Sequence, residues 1–202
     1  MEGKVIKRKK ILLAILLSVF VAGILCAPAK AGESPAVLRM ALDAARPGTL
    51  DPHFAAATQT RIMADMIFNG LLRYKPGRAP LIEPDLAETI PEPKIVDGKQ
   101  VWTFKLRKGV MFHPGPRTKA YELTTDDVVY SLRKSADPKR SAYSGEYTGM
   151  TFEKVDDYTV RIVLEKPLSS FLFFPKVSDY AGGFIISKKA IEAMGDEAFK
   201  SH

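Results

Sequence analysis

The sequence predicts a mixed fold of strands and helices, α/β or α+β, and three stretches carry that prediction. Lys99–Arg107 alternates apolar Trp102, Phe104 and Leu106 with Thr103, Lys105 and Arg107, the period-two pattern of a strand with one buried and one wet face. Thr124–Asp137 places Val128, Val129, Leu132 and Ala136 at helical spacing. Thr124 and Asp127 stand ahead of that stripe as a capping box, and Asp126 and Asp127 suit the positive end of the helix dipole. Phe152–Val155 and Tyr158–Leu164 flank Asp156-Asp157 as a hairpin, with Val160, Ile162 and Leu164 facing one way. Strands and helices follow one another without strict alternation, so no regular βαβ repeat is expected.

From the N-terminus, Lys4, Lys7, Arg8, Lys9 and Lys10 precede an uncharged run from Ile11 to Leu25, and Ala29-Lys30-Ala31 offers small residues around a cut. This is the three-part pattern of an export leader, with cleavage expected between Ala31 and Gly32. The apolar run is 15 residues long, short of the about 20 that a spanning helix needs, so a cleaved leader is preferred to a retained anchor. The single cysteine, Cys26, lies inside the leader behind Gly23-Ile24-Leu25. Leucine is bulky where a lipidation signal wants a small residue, so Cys26 is read as discarded without lipid. The exported remainder then has no thiol and forms no disulfide, and a core must hold it together. The whole chain carries 30 basic and 23 acidic residues; the leader holds six of the former and one of the latter, leaving 24 against 22, a net of +2. Charges of both signs are interspersed, and nothing marks a nucleic-acid surface.

Gly32–Ala36 reads as a linker and Val37–Leu42 as a first strand, broken by Arg46-Pro47-Gly48 ahead of Leu50-Asp51-Pro52. A helix is expected from about Thr58 to Leu72, with Ile62, Met66, Ile67 and Leu71 as its apolar stripe and Gly70 near its end. Pro76 to Pro93 is expected to be a long covering loop without regular structure. Gly109 lets the chain turn out of the Lys99–Arg107 strand. Phe184–Ile186 is expected as a short strand leading into a helix from Ser187 to Met194.

Few residues suggest reaction chemistry. His113, beside Pro114-Gly115, has no second histidine or cysteine at ligand spacing, and a hydrogen-bonded structural role is preferred for it. Asp126 and Asp127 are better read as helix caps than as a paired acid and base. Phe171, Phe173 and Phe174 suit core packing better than a ligand pocket. There is no GxSxG element and no cysteine nucleophile, which counts against an exported hydrolase. No catalytic residue, metal site or cofactor is expected.

Five pieces in order carry a resemblance: Leu50-Asp51-Pro52; Glu83-Pro84-Asp85-Leu86-Ala87-Glu88; Trp102–Val110 followed by Phe112-His113; Thr125–Leu132; and Ile185-Ile186-Ser187-Lys188. Together they resemble family 5 of the extracellular solute-binding proteins, the peptide, dipeptide and nickel type of ABC importers, over essentially all of Val37–His202. The resemblance implies a fold like that of type II periplasmic binding proteins. It implies a peptide or related small solute as ligand, a membrane permease as partner, no nucleic acid, and a periplasmic or extracellular location.

It also implies structural roles for Asp51, Pro52, Trp102, Phe104, Phe112, His113 and Asp127, and a place near the cleft edge for His53, Ala57, Thr58 and Gln59. That last segment reads equally well as an ordinary strand-to-helix connection. The sequence departs from the family where Pro114 stands in place of an acid and Arg117–Glu122 looks inserted. Family members continue past the equivalent of Phe199-Lys200-Ser201-His202 into a second lobe, so the chain is expected to be the first lobe only, a truncated member with an incomplete mixed sheet and flanking helices. On that expectation Val37–Leu42 and Phe184–Ile186 become exposed sheet edges. A rival reading is an envelope interaction or structural fragment that binds no solute.

Overall fold

The structure is a computed structural model; it describes residues 48–201 and, before them, only 37, 39 and 41. The leader, its cleavage site at Ala31-Gly32, Cys26 and most of the expected Val37–Leu42 strand lie outside the described residues.

Four antiparallel strands form the main sheet, in the order β3 (Lys94–Val96), β4 (Lys99–Lys105), β8 (Thr159–Leu164), β7 (Met150–Asp156). The register sets Trp102 opposite Ile162 and Phe104 opposite Val160, while Phe152 faces Ile162 from the other side. Alternation therefore gathers Trp102, Phe104, Phe152, Val160, Ile162 and Leu164 onto one face, all buried. Helix α2 (Thr125–Ala136) covers that face with Val128, Val129 and Leu132. Behind the aromatic row, Phe173 stacks on Trp102 at 4.7 Å and Phe174 meets it edge-on at 5.3 Å, both near the preferred ring separations. The strand, helix and hairpin expectations hold here almost to the residue. Between β3 and β4, Asp97 and Gly98 both adopt positive φ, 51° and 76°, as a two-residue hairpin turn of this hand requires.

Helix α1 spans Thr58–Ile67 and stops short of the expected Leu72, because Phe68 turns extended. Its apolar stripe is not its buried face. Thr60 and Ala64 point inward, Ala64 joining Ala55, Phe68 and Phe184 in a small core, whereas Ile62, Met66 and Ile67 are exposed. Gly70 lies beyond the helix, where a Cβ would sit 2.5 Å from the carbonyl carbon of Ser178, so only glycine permits this crossing.

Pro76–Pro93 is not structureless. β2 (Ile82–Pro84) pairs with β1 (Leu72–Tyr74), and Ala87 bridges Leu106. Turn residues between Tyr74 and Ile82 close a hairpin that proline counting alone disguised. A third antiparallel pair joins β5 (Met111–Phe112) to β6 (Tyr121–Glu122), the latter within the stretch expected to be inserted. Phe184–Ile186 contributes a single bridge, Asn69 to Ile185. It is no exposed edge, since Phe184, Ile185 and Ile186 are all buried. Two short helices, α3 (Ser170–Phe173) and α4 (Lys188–Met194), precede α5 (Asp196–Ser201); Ser187 caps α4 by accepting the Ala190 N–H at 3.0 Å. Among the described residues every strand pair is antiparallel.

Candidate functional site

Leu50-Asp51-Pro52 opens the site because a buried ion pair fixes it. Asp51 caps a 3-10 turn (Pro52–Phe54), one carboxylate oxygen accepting the His53 N–H at 3.0 Å. The other oxygen accepts from Lys134 Nζ at 2.8 Å, and both side chains are enclosed. Lys134 also donates to the Arg140 carbonyl at 3.0 Å and lies 3.4 Å from His53 Nδ1. The far nitrogen of His53, Nε2, is 3.0 Å from the Phe184 carbonyl. The imidazole that fits both neighbours is neutral, donating from Nε2 and accepting at Nδ1. Burial, reinforced by the Lys134 charge, pushes the His53 pKa down to about 3. Burial also lowers the Lys134 pKa, opposed by Asp51.

The His53 side chain, expected near a cleft edge, therefore offers no exposed surface to a solute. It is wholly enclosed and braces the loop from beneath. The loop above it is held by the Ala142 N–H on the His53 carbonyl at 2.9 Å and by the Tyr143 hydroxyl on the Ala55 carbonyl at 2.6 Å. Ala57 and Thr58 emerge exposed from this clamp and Gln59 is half-buried. Arg61, one turn into α1, lays its guanidinium 4.9 Å from the centre of the Tyr180 ring.

Tyr143 and Tyr180 lead from that loop into a cavity of about 670 Å³, within the range of small-molecule pockets. The β1–β2 hairpin supplies Tyr74, Leu81 and Ile82, and the segment after β8 supplies Phe171, Leu172 and Phe174. Its two charged lining residues, Glu146 and Lys176, pair with each other. Tyr147, almost wholly buried, donates to the Lys176 carbonyl at 2.9 Å, and burial raises its pKa well above the usual phenol range. The phenylalanine cluster is thus divided: Phe173 is core as expected, while Phe171 is exposed and joins Phe174 in the cavity wall. Such a wall can hold a solute by apolar contact and ring stacking.

Asp51, Pro52, Trp102, Phe104 and Asp127 are buried, and Phe112, half-buried, stacks on Tyr121 at 5.0 Å. His113 departs from expectation: it is exposed, and no hydrogen bond of it is found among the described residues. Asp127 accepts the Thr124 N–H at 3.2 Å as a cap, and also the Tyr121 hydroxyl at 2.5 Å and the Lys188 N–H at 3.2 Å. It thereby ties α2 to β6 and to the start of α4. Sequence reasoning missed Lys134 and the tyrosines of the cavity. A signal for Lys134 existed, since it falls between Ser131 and Ser135 on a helix face that also carries Leu132, all four buried. Among the described residues no group of three or more His, Cys, Asp or Glu is placed to hold a metal, and no helix is long and apolar enough to cross a membrane.

Comparisons with known proteins agree with one another. The chain is 36% identical over 129 residues to heme-binding protein A of Haemophilus influenzae, covering 57% of this chain and 23% of that protein. It is 34% identical over 157 residues to the dipeptide-binding protein of Escherichia coli K12, covering 70% of this chain and 28% of that one. Among solved structures, the binding protein MoaA of A. tumefaciens R10 in complex with mannopinic acid superposes with a TM-score of 0.64 at 44% identity, over 75% of this chain and 29% of that one. DppA of Helicobacter pylori in complex with the peptide STSA gives 0.61 at 26% identity, over 76% and 31%. The chain thus spans between about a quarter and a third of the length of these relatives. The profile of the bacterial extracellular solute-binding proteins, family 5 Middle, matches residues 82–200, the stretch that builds the main sheet, α2 and most of the cavity wall. Members of that family are binding proteins rather than enzymes, and by this match over more than half its length the chain belongs to the bacterial extracellular solute-binding proteins of family 5.

Proposed function

We propose that the chain serves as the opening part of the first lobe of an exported substrate-binding component of an ABC importer. Residues 1–31 act as its leader, and residues 32–202 form the N-terminal portion of the solute-binding domain. The component captures a peptide or related small solute between two lobes and delivers it to a permease. In this reading Ala57, Thr58 and Gln59 line the cleft edge, with Asp51, His53 and Lys134 holding them in place from below. The observation that carries the reading is the 44% identity with a binding protein solved around a bound small solute, mannopinic acid. The relatives named for peptides and heme support a broad solute class.

Closure of two lobes buries a ligand and supplies much of its affinity; a single wall retains solute poorly. Calorimetric titration of the exported chain with mixed oligopeptides, an opine and nickel complexes is expected to show no saturable micromolar binding. A chimera completed with the remainder of the mannopinic-acid-binding relative is expected to bind one of them. Micromolar binding by residues 32–202 alone would sink the two-lobe mechanism, and a folded chimera that retains no solute would count against the transport role.

A further inference from the structure

We propose that the cavity is a subsite for an aromatic side chain of the bound solute, an inference that rests on the solute-binding reading above and names what this wall selects. Rings from four separate segments face the space: Tyr74 from β1, Tyr143 before the Ser144–Tyr147 turn, Phe171 and Phe174 after β8, and Tyr180 beyond them. Tyr143 and Tyr180 stand edge to face at 5.6 Å, a geometry that leaves ring faces for a third partner. The Tyr143 hydroxyl is committed to the Ala55 carbonyl. What that ring offers a ligand is apolar surface.

Charge points the same way. Glu146 and Lys176 are the charged residues of the lining, and they neutralise each other. A cationic side chain entering here would leave water without gaining a free counter-ion, because the one lining carboxylate, Glu146, is already paired, and that is unfavourable. A flat uncharged group instead gains ring contacts on several sides. The position fits a solute lying along the Ala55–Gln59 loop, because the Tyr143 bond to Ala55 sets the cavity directly beside that loop. Phe171, 76% exposed, Leu81, 56% exposed, and Leu172, 55% exposed, are the apolar parts of the wall least committed to the core.

The test is chemical-shift mapping on the exported chain with three probes: N-acetyl-tryptophanamide, N-acetyl-leucinamide and N-acetyl-lysinamide. The tryptophan probe is expected to give saturating shifts at Ile82, Ile90 and Leu172, weaker than the micromolar range. It should bind about two- to tenfold tighter than the leucine probe, the usual gain from aromatic pairing; the lysine probe should give none. Phe171→Ala should weaken the tryptophan probe by a similar factor with an unchanged melting temperature, and Ile95→Ala on β3, outside the lining, should change nothing. Equal affinity for the leucine probe, shifts confined elsewhere, or indifference to Phe171→Ala would overturn the proposal. The readout needs no second lobe. A solute-free chimera with a tryptophan-responsive cavity would therefore defeat the transport reading alone, and a solute-retaining chimera with a silent cavity would defeat the subsite alone.

Discussion

Lys134 carries an ammonium group into a fully enclosed place, and that is tolerable only because Asp51, 2.8 Å away, and the Arg140 carbonyl receive its protons. Truncating it leaves the Asp51 carboxylate buried without a counter-ion. Lys134→Ala is expected to cost about 3–5 kcal/mol in urea unfolding, the range for breaking a buried pair. The double replacement Asp51→Asn with Lys134→Met should recover part of that loss, because it removes both charges together. His53 adds a pH dependence of defined sign. Its pKa falls from 6.5 to about 3 on folding, so below pH 6.5 the unfolded chain takes up a proton that the native imidazole refuses. Stability fully present above pH 6.5 should therefore fall as pH drops toward 3, by about 1.4 kcal/mol per unit. Unfolding midpoints measured from pH 8 to pH 4 should show this slope, and His53→Gln should remove it. A slope unchanged in that variant would mean another group is responsible.

At the scale of elements, α2 shows what a cap can be asked to do. The Thr124 hydroxyl reaches Asp127 only at 3.5 Å, whereas the Asp127 carboxylate takes the Thr124 N–H and two further donors from β6 and α4. Thr124→Ala should cost about 0.5–2 kcal/mol, the usual loss at an N-cap. Asp127→Ala should cost more, because it also takes one partner from the Tyr121 hydroxyl, leaving it Ser187 Oγ at 2.9 Å, and loosens α4 by freeing the Lys188 N–H. Equal thermal shifts for the two variants would reduce Asp127 to a simple cap. The box itself was legible in Thr124-x-x-Asp127, as were β4, β7 and β8, since their patterns depend on local period alone. α1 was legible as a helix but not in its orientation. Its small residues Thr60 and Ala64 face the core because the backbone at Ala55 and the ring of Phe184 approach closely there. Hydrophobic spacing cannot reveal a contact that close approach, rather than apolar bulk, has selected. β2 was hidden for a different reason: the hairpin it forms with β1 has only three residues in each strand, and the proline content of the segment spoke louder.

On the scale of the whole molecule, the site was only half legible. The segment around Ala57 to Gln59 was legible as the connection leading into α1, but the cavity joins residues from Tyr74 to Tyr180, and no local pattern links tyrosines so far apart. The same distance between pattern and surface governs α1, whose outer face carries Ile62, Met66 and Ile67 at 42%, 57% and 57% exposure. Single exposed apolar residues are ordinary, but three on adjacent turns of one helix form a patch that favours association. The charge available to oppose it is small, a net of +2 over residues 32–202. Residues 32–202 are therefore expected to self-associate reversibly as their concentration rises, seen as a rising weight-average sedimentation coefficient. Replacing Ile62, Met66 and Ile67 together by serine should hold the chain monomeric at the same concentrations. The melting temperature of the monomer should barely move, because none of the three side chains belongs to the core. Association that persists in the triple variant would shift attention to the exposed β3 edge, where Ile95 and Val96 are 62% and 50% exposed. A chain that stays monomeric from the outset would show that the α1 face is too small a patch to pair.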